Sequence, residues 1–267
     1  MATVRVNGVE LYYEDVGAAS PVVFIHGVWM SSRCFRHQLE GLADRCRVVA
    51  LDLRGHGGSE HVTTGHTVAQ YARDLRTFLE ALGLEEPVVV GWSMGALVIW
   101  DYVRQLGADG LRGVVVVDQT PSDYGWPDWP YGFFDFEALC HTMAACQTDR
   151  AAVVEEFIPM LFKREPPAPE HAGLIREETM RLSDTIASAI IFDQTVQDYR
   201  DVLPRVTVPA LVCTGRDEKL VPIAAEEYVA AQMPNARLVV FEESGHCPFL
   251  EEPELFNQVL SEFLDSL

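Results

Sequence analysis

Val88-Val89-Val90-Gly91-Trp92-Ser93-Met94-Gly95 is the stretch on which the fold turns. Three β-branched residues run into a Gly-x-Ser-x-Gly pentapeptide, and apolar residues at helical spacing follow from Ser93 to Leu106. This is a strand, a sharp turn and a helix in immediate succession. The glycines let the chain fold back tightly, which leaves the serine hydroxyl exposed at the helix N-terminus. Free backbone N–H groups and the positive end of the helix dipole lie at that position, and both suit a developing oxyanion.

The same alternation extends in both directions. Continuous apolar runs at residues 22–25, 48–51, 114–117, 210–212 and 238–241 read as strands covered on both faces. Thr67 to Leu82 and Glu254 to Leu267 carry apolar residues at i, i+3, i+4 and i+7. Near the N-terminus, Asn7-Gly8 between short alternating segments predicts a hairpin. The expected fold is α/β: a mostly parallel sheet with right-handed crossovers and an antiparallel N-terminal hairpin. Residues 122–203 break the pattern. They hold no convincing strand, but an aromatic cluster (Tyr124 to Phe136) and then helical stretches divided by Pro166-Pro167-Ala168-Pro169. The expected organisation is a core of residues 1–121 and 204–267, with a helical cap of residues 122–203 inserted between two core strands.

Two further side chains fall on loops after strands. Asp217 follows the run ending at Thr214, and His246 follows the run ending at Phe241. A serine hydroxyl becomes a useful nucleophile when a base removes its proton, and the base needs a carboxylate on its other ring nitrogen. Ser93, Asp217 and His246 stand in the order Ser…Asp…His. Asp118, at the end of residues 114–117, is a second candidate for the acid. His56, His61 and His66 recur every five residues but lack a matching set of Cys or carboxylate ligands, so no metal site is expected there.

Phe24-Ile25-His26-Gly27-Val28-Trp29, Asp52 to Ser59, the Gly91–Gly95 turn, Gly215-Arg216-Asp217 with Val221-Pro222, and Gly245 to Glu251 together resemble the α/β-hydrolase superfamily over nearly the whole chain. The likeness is to its small esterases and cofactor-free haloperoxidase-like members. The resemblance implies Ser93 as nucleophile, His246 as base, Asp217 as its acid, and the amides of Val28 and Met94 as oxyanion hole. It gives His26 a bracing role in the loop. It implies hydrolysis of a carboxylic ester or lactone of a small, largely apolar substrate through an acyl-enzyme, without metal or cofactor. Trp29, Trp126, Trp129 and Phe133 are expected to line the pocket. Ser at the turn, where haloalkane dehalogenases and epoxide hydrolases have Asp, argues against those activities. Trp29 stands where perhydrolytic relatives often have proline. Alternatives on the same scaffold are a C–C bond hydrolase, a cofactor-free oxygenase, a perhydrolase and a ligand receptor that retains the triad.

The composition narrows the partners. With 40 acidic against 20 basic side chains the net charge is −20, about one net negative charge per 580 Å² of folded surface. Such a surface repels nucleic-acid phosphates and anionic lipid, so a small-molecule substrate is expected, with neither nucleic acid nor membrane as partner. The start, Met1 to Arg5, lacks the apolar core of a signal peptide. The six cysteines form no C-x-x-C pair, and a cytoplasmic location with reduced thiols is expected. Residues 122–203 hold 15 of the carboxylates against 6 basic side chains. Placed over the serine, that excess predicts a preference for neutral or cationic esters that fades with salt.

Overall fold

The computed structural model describes residues 2–267. Strands β1 (Ala2–Val6), β2 (Val9–Val16), β3 (Pro21–Ile25), β4 (Arg47–Leu51), β5 (Val88–Trp92), β6 (Gly113–Val117), β7 (Ala210–Gly215) and β8 (Ala236–Phe241) form one eight-stranded sheet in the order β1-β2-β4-β3-β5-β6-β7-β8. β1 and β2 pair antiparallel, as β2 does with β4, and the ladders from β4 to β8 are parallel. The hairpin turn is Asn7-Gly8, with φ of 45° and 86°, the left-handed pair that a two-residue turn of this hand requires.

Ten helices accompany the sheet among the described residues. α1 (Arg36–Leu42), α2 (Val68–Ala81) and α3 (Met94–Leu106) precede β6. α4 (Phe136–Thr148), α5 (Arg150–Phe157), α6 (Pro169–Thr179) and α7 (Asp184–Thr195) lie between β6 and β7 in the chain. α8 (Ile223–Gln232), α9 (Pro248–Glu251) and α10 (Pro253–Asp265) follow β7. α8 carries no clear periodic signal because its buried face is only Ala225, Glu226 and Val229, set among further alanines that blur the pattern.

Successive strand side chains enter opposite apolar layers. Val89, Val114 and Val116 pack with Leu75 and Phe78 of α2 and Leu97 and Trp100 of α3. Val88, Val90, Val115 and Val117 pack with Leu39 of α1 and Phe256, Leu260 and Phe263 of α10. Burial on both faces explains why these strands read as unbroken apolar runs. The segment between β6 and β7 joins both layers: Leu139, Ile190 and Ile191 enter the first, and Val154, Ile158, Leu161 and Ile175 the second. Its side chains complete the sheet's own core, so its docking is set by the same apolar burial that holds the sheet.

The parallel registers align the strand ends. Ile25 lies beside Gly91, Trp92 beside Val117, and Gly215 beside Phe241. The loops leaving β3, β5, β6, β7 and β8 therefore emerge along one edge of the sheet, where ligands of open α/β sheets bind.

Candidate active site

Ser93 sits between β5 and α3 with φ of 51° and ψ of −123°, a left-handed conformation unusual for a residue with a Cβ. Its amide donates to the Val117 carbonyl at 2.9 Å and its carbonyl accepts from Ala96 at 2.8 Å. The flanking glycines are sterically required. A Cβ on Gly91 would run into the Gly95 carbonyl, and one on Gly95 into the Ile25 carbonyl. The strained serine is thus held by close backbone contact on both sides, as persistent backbone strain requires.

The β3 loop packs directly on this turn. A Cβ on Gly27 would lie 3.2 Å from the Ser93 Cβ, and the next residue, Val28, lines the same cavity as the serine. Met94 begins α3, so its amide belongs to the first helical turn, which has no partner within the helix. His26 fixes the loop. Its Nδ1 donates to the Gly27 carbonyl at 2.8 Å and its Nε2 accepts from the Leu53 amide at 3.0 Å. Burial pushes this imidazole down to about 4, so it is a neutral brace at physiological pH. Trp29 follows with φ of 64°, its indole N–H donating to the Ala187 carbonyl at 3.2 Å.

His246 emerges after β8 into the same cavity as Ser93. Its Nδ1 donates to a carboxylate at 2.8 Å, and that carboxylate is Glu218. Asp217, the acid expected from the sequence, is turned to the surface. Its side chain is 46% exposed and pairs with Lys163 Nζ at 2.9 Å, whereas the Glu218 side chain is fully buried. The physical reason lies in the turn after β7. The Asp217 amide donates to the Ser244 carbonyl, while the Glu218 Oε1 accepts from the amides of Leu220 and Val221. This network folds Glu218 inward and leaves Oε2 facing the imidazole. No hydrogen bond joins Ser93 to His246 among the described residues; such bonds are often long without substrate and tighten when it binds.

Asp118 lies beside this pair but is engaged otherwise. Its Oδ1 accepts from Thr214 Oγ1 at 2.8 Å and Gly215 N at 3.3 Å, and its Oδ2 is buried without a partner. Burial, and then the charges of Glu218 and Glu226, hold its carboxyl well above the usual range. Asp118, Glu218 and His246 are also the one cluster among the described residues that could ligate a metal, their ligand atoms lying within 4.8 Å of one another. A cation there would have to displace the Glu218–His246 hydrogen bond.

A cavity of about 150 Å³ opens onto Ser93 and His246. Of the four residues expected to line it, Trp29 and Phe133 do so, and Trp126 and Trp129 do not; Val28, expected at the oxyanion hole, lines it too. The two indoles donate to Ser122 instead, Trp126 to Oγ at 2.9 Å and Trp129 to the carbonyl at 2.8 Å, and both pack beneath Val221 and Leu220, which themselves face the cavity. Most of the remaining lining comes from residues 119–194: Phe134, Thr142, Val153, Phe157 and Ile191 with Gln119, Asp123 and Gln194. The aromatic cluster was the visible signal. Single residues on α4, α5 and α7 gave none, because pocket-facing and core-facing positions on a short helix share one periodicity. Of the histidines at 56, 61 and 66, His56 Nδ1 contacts the Arg54 carbonyl, and His66 contacts the Val62 carbonyl and Tyr71.

A family model described as the alpha/beta hydrolase family matches residues 22–259. The chain belongs to that family. This hydrolase is 32% identical over 272 residues to a non-heme chloroperoxidase from Kitasatospora aureofaciens, covering 97% of each chain. It is 27% identical to an esterase from Exiguobacterium antarcticum, covering 97% of both chains with a TM-score of 0.92. It is 26% identical to a bromoperoxidase from Bacillus anthracis, covering 99% of both with a TM-score of 0.93. No helix of the hydrolase is long and apolar enough among the described residues to cross a membrane.

Proposed function

We propose that the protein hydrolyses carboxylic esters or lactones of small, largely apolar substrates through an acyl-enzyme on Ser93. The observation that carries this reading is a strained serine opening, with a carboxylate-bound imidazole, into one small apolar cavity. His246 takes the Ser93 proton as the hydroxyl attacks the carbonyl carbon. Glu218, in place of Asp217, fixes the tautomer with Nδ1 protonated and stabilises the imidazolium that forms. The amides of Val28 and Met94 receive the oxyanion. His246 then returns the proton to the leaving alcohol and activates a water that releases the acid.

Residues 122–203 act in this reading as a cap, supplying most of the apolar wall. The likeness to haloperoxidases favours a second outcome at the same acyl-enzyme: hydrogen peroxide in place of water would release a peracid.

A panel of aryl esters of increasing acyl length tests the reading. Wild type is expected to cleave short and medium chains, and Ser93→Ala to lose about 10⁴- to 10⁶-fold in kcat. A serine-directed phosphonate should add its mass to wild type and not to Ser93→Ala. A wild type inert to every ester and to the phosphonate would overturn it.

A further inference from the structure

One wall of the cavity is polar, and the acceptors on it are not all filled. Gln119, Asp123 and Gln194 line the cavity together. Gln119 Nε2 donates to Asp123 Oδ1 at 2.6 Å and to the Thr120 carbonyl at 2.8 Å, which uses both amide hydrogens. Gln194 Nε2 donates to Asp123 Oδ2 at 3.1 Å. Each Asp123 oxygen therefore receives one hydrogen bond and retains room for another. Gln194 is 5% exposed, and its Oε1 is buried with no partner at all. A buried acceptor left unfilled in an otherwise apolar cavity carries a desolvation cost that a bound donor would remove.

We propose that this wall selects esters whose acyl or alcohol portion carries a hydrogen-bond donor, a hydroxyl or an amide N–H, which Asp123 and Gln194 accept. The proposal rests on the serine-hydrolase reading for its chemistry, and it names the substrate class of that same cavity. A ligand that offers only acceptors, such as a methyl ether, leaves the Asp123 and Gln194 acceptors unfilled and sets its lone pairs against theirs. An aliphatic chain leaves them unfilled as well. Burial pushes the Asp123 carboxyl up to about 7, against the Gln119 and Gln194 hydrogen bonds and the nearby His246. Above that pH the carboxylate is ionised, and hydrogen bonds to it are charge-assisted.

The test compares three aryl esters of equal length at pH 8, with acyl chains ending in a secondary amide, in the N-methylated tertiary amide and in plain alkyl. A preference in kcat/KM of about 10- to 100-fold for the secondary amide over its N-methyl counterpart is expected, the worth of a hydrogen bond to a charged acceptor. Gln194→Met should reduce that ratio several-fold. Asp123→Asn should reduce or invert it, because Gln194 must turn its amide to meet the new NH₂ and then presents a donor to the ligand. A wild-type ratio near one, or a full ratio retained in both variants, would overturn the proposal while leaving ester hydrolysis intact. Calorimetric binding of the matching unreactive ketones decides the selectivity independently of turnover. Equal affinity of the secondary and tertiary amide ketones would also overturn it, whatever the fate of the esters.

Discussion

The turn after β5 brings Ser93 to the cavity and the turn after β7 brings Glu218 to His246, and the two are built by different means. At the first, backbone sterics leave no choice: Gly91 and Gly95 stand where a Cβ would meet a carbonyl, and only residue 93 occupies the apex. At the second, steric necessity stops at Gly215, whose Cβ would run into the Gly245 carbonyl. Beyond it two carboxylates stand side by side, and hydrogen bonding decides between them. Glu218 is drawn inward by the amides of Leu220 and Val221, and Asp217 outward by Lys163. Where glycine packing fixes the chain, the functional residue is determined to the position. Where side-chain partners fix it, the chemistry is determined and the position is free by one.

The sharpest way to break this comparison is Glu218→Gln. The amide keeps the shape, but it would place an N–H against His246 Nδ1 or force that nitrogen to accept, the wrong tautomer for a base acting through Nε2. We expect kcat to fall about 10³- to 10⁴-fold with KM little changed. Steady-state kinetics on an aryl ester checks it, and a loss under tenfold would return the role to another acid.

The sequence was legible to the extent that its constraints were local. Unbroken β-branched runs and the Asn7-Gly8 turn led to the strands, and the glycines of the Ser93 turn led to the serine, because each rests on the covalent limits of the residues themselves. The carboxylate partner of His246, the polar wall at Gln119, Asp123 and Gln194, and the burial of Trp126 and Trp129 depend on contacts between segments distant in the chain. Gln194 meets Asp123 across 71 positions, a distance over which no periodicity or spacing argument operates. The same holds for α8, whose buried Glu226 accepts from the amide of Gln119.

Asp123 offers a thermodynamic view of a residue placed by such distant contacts. Its carboxyl titrates at about 7 when folded, against an ordinary value of 3.8. Between those values the folded state binds the proton that the unfolded chain releases, so the stability this group contributes is present below pH 4 and is lost as pH rises through 7. Asp123→Asn removes the titration, and Gln194 can turn its amide to pair with the new side chain. The unfolding free energy of the variant relative to wild type should therefore rise by on the order of 4 kcal/mol between pH 4 and pH 8. Denaturant titrations at several pH values check this, and a pH-independent difference would show that Asp123 titrates normally.

The steric side of the comparison is tested by Gly95→Ala. The added Cβ would meet the Ile25 carbonyl, a backbone atom that cannot swing aside. Overpacking of this kind should cost about 3 kcal/mol, seen as a fall of roughly 6–12 °C in Tm. An unchanged Tm would mean that the turn tolerates a side chain and that sterics do not single out residue 93.

Asp217→Asn should do least. Asp217 lies one residue from Glu218 and has the side chain that the chain order singles out, yet its carboxylate is half exposed and paired with a lysine that also reaches Glu243. An exposed pair of this sort contributes about 0–1 kcal/mol, and Lys163 keeps a second partner when the first is neutralised. We expect Tm within roughly 2 °C of wild type and kcat/KM within about threefold, the scale of a modest change in surface charge near a cavity. The contrast with Glu218→Gln is the decisive quantity, since both variants exchange one carboxylate oxygen for an amide nitrogen at adjacent positions. A ratio of a thousand between them assigns the acid to the buried side chain. Comparable losses would mean that the β7 turn rearranges on binding substrate, bringing Asp217 inward, and that both carboxylates share the task.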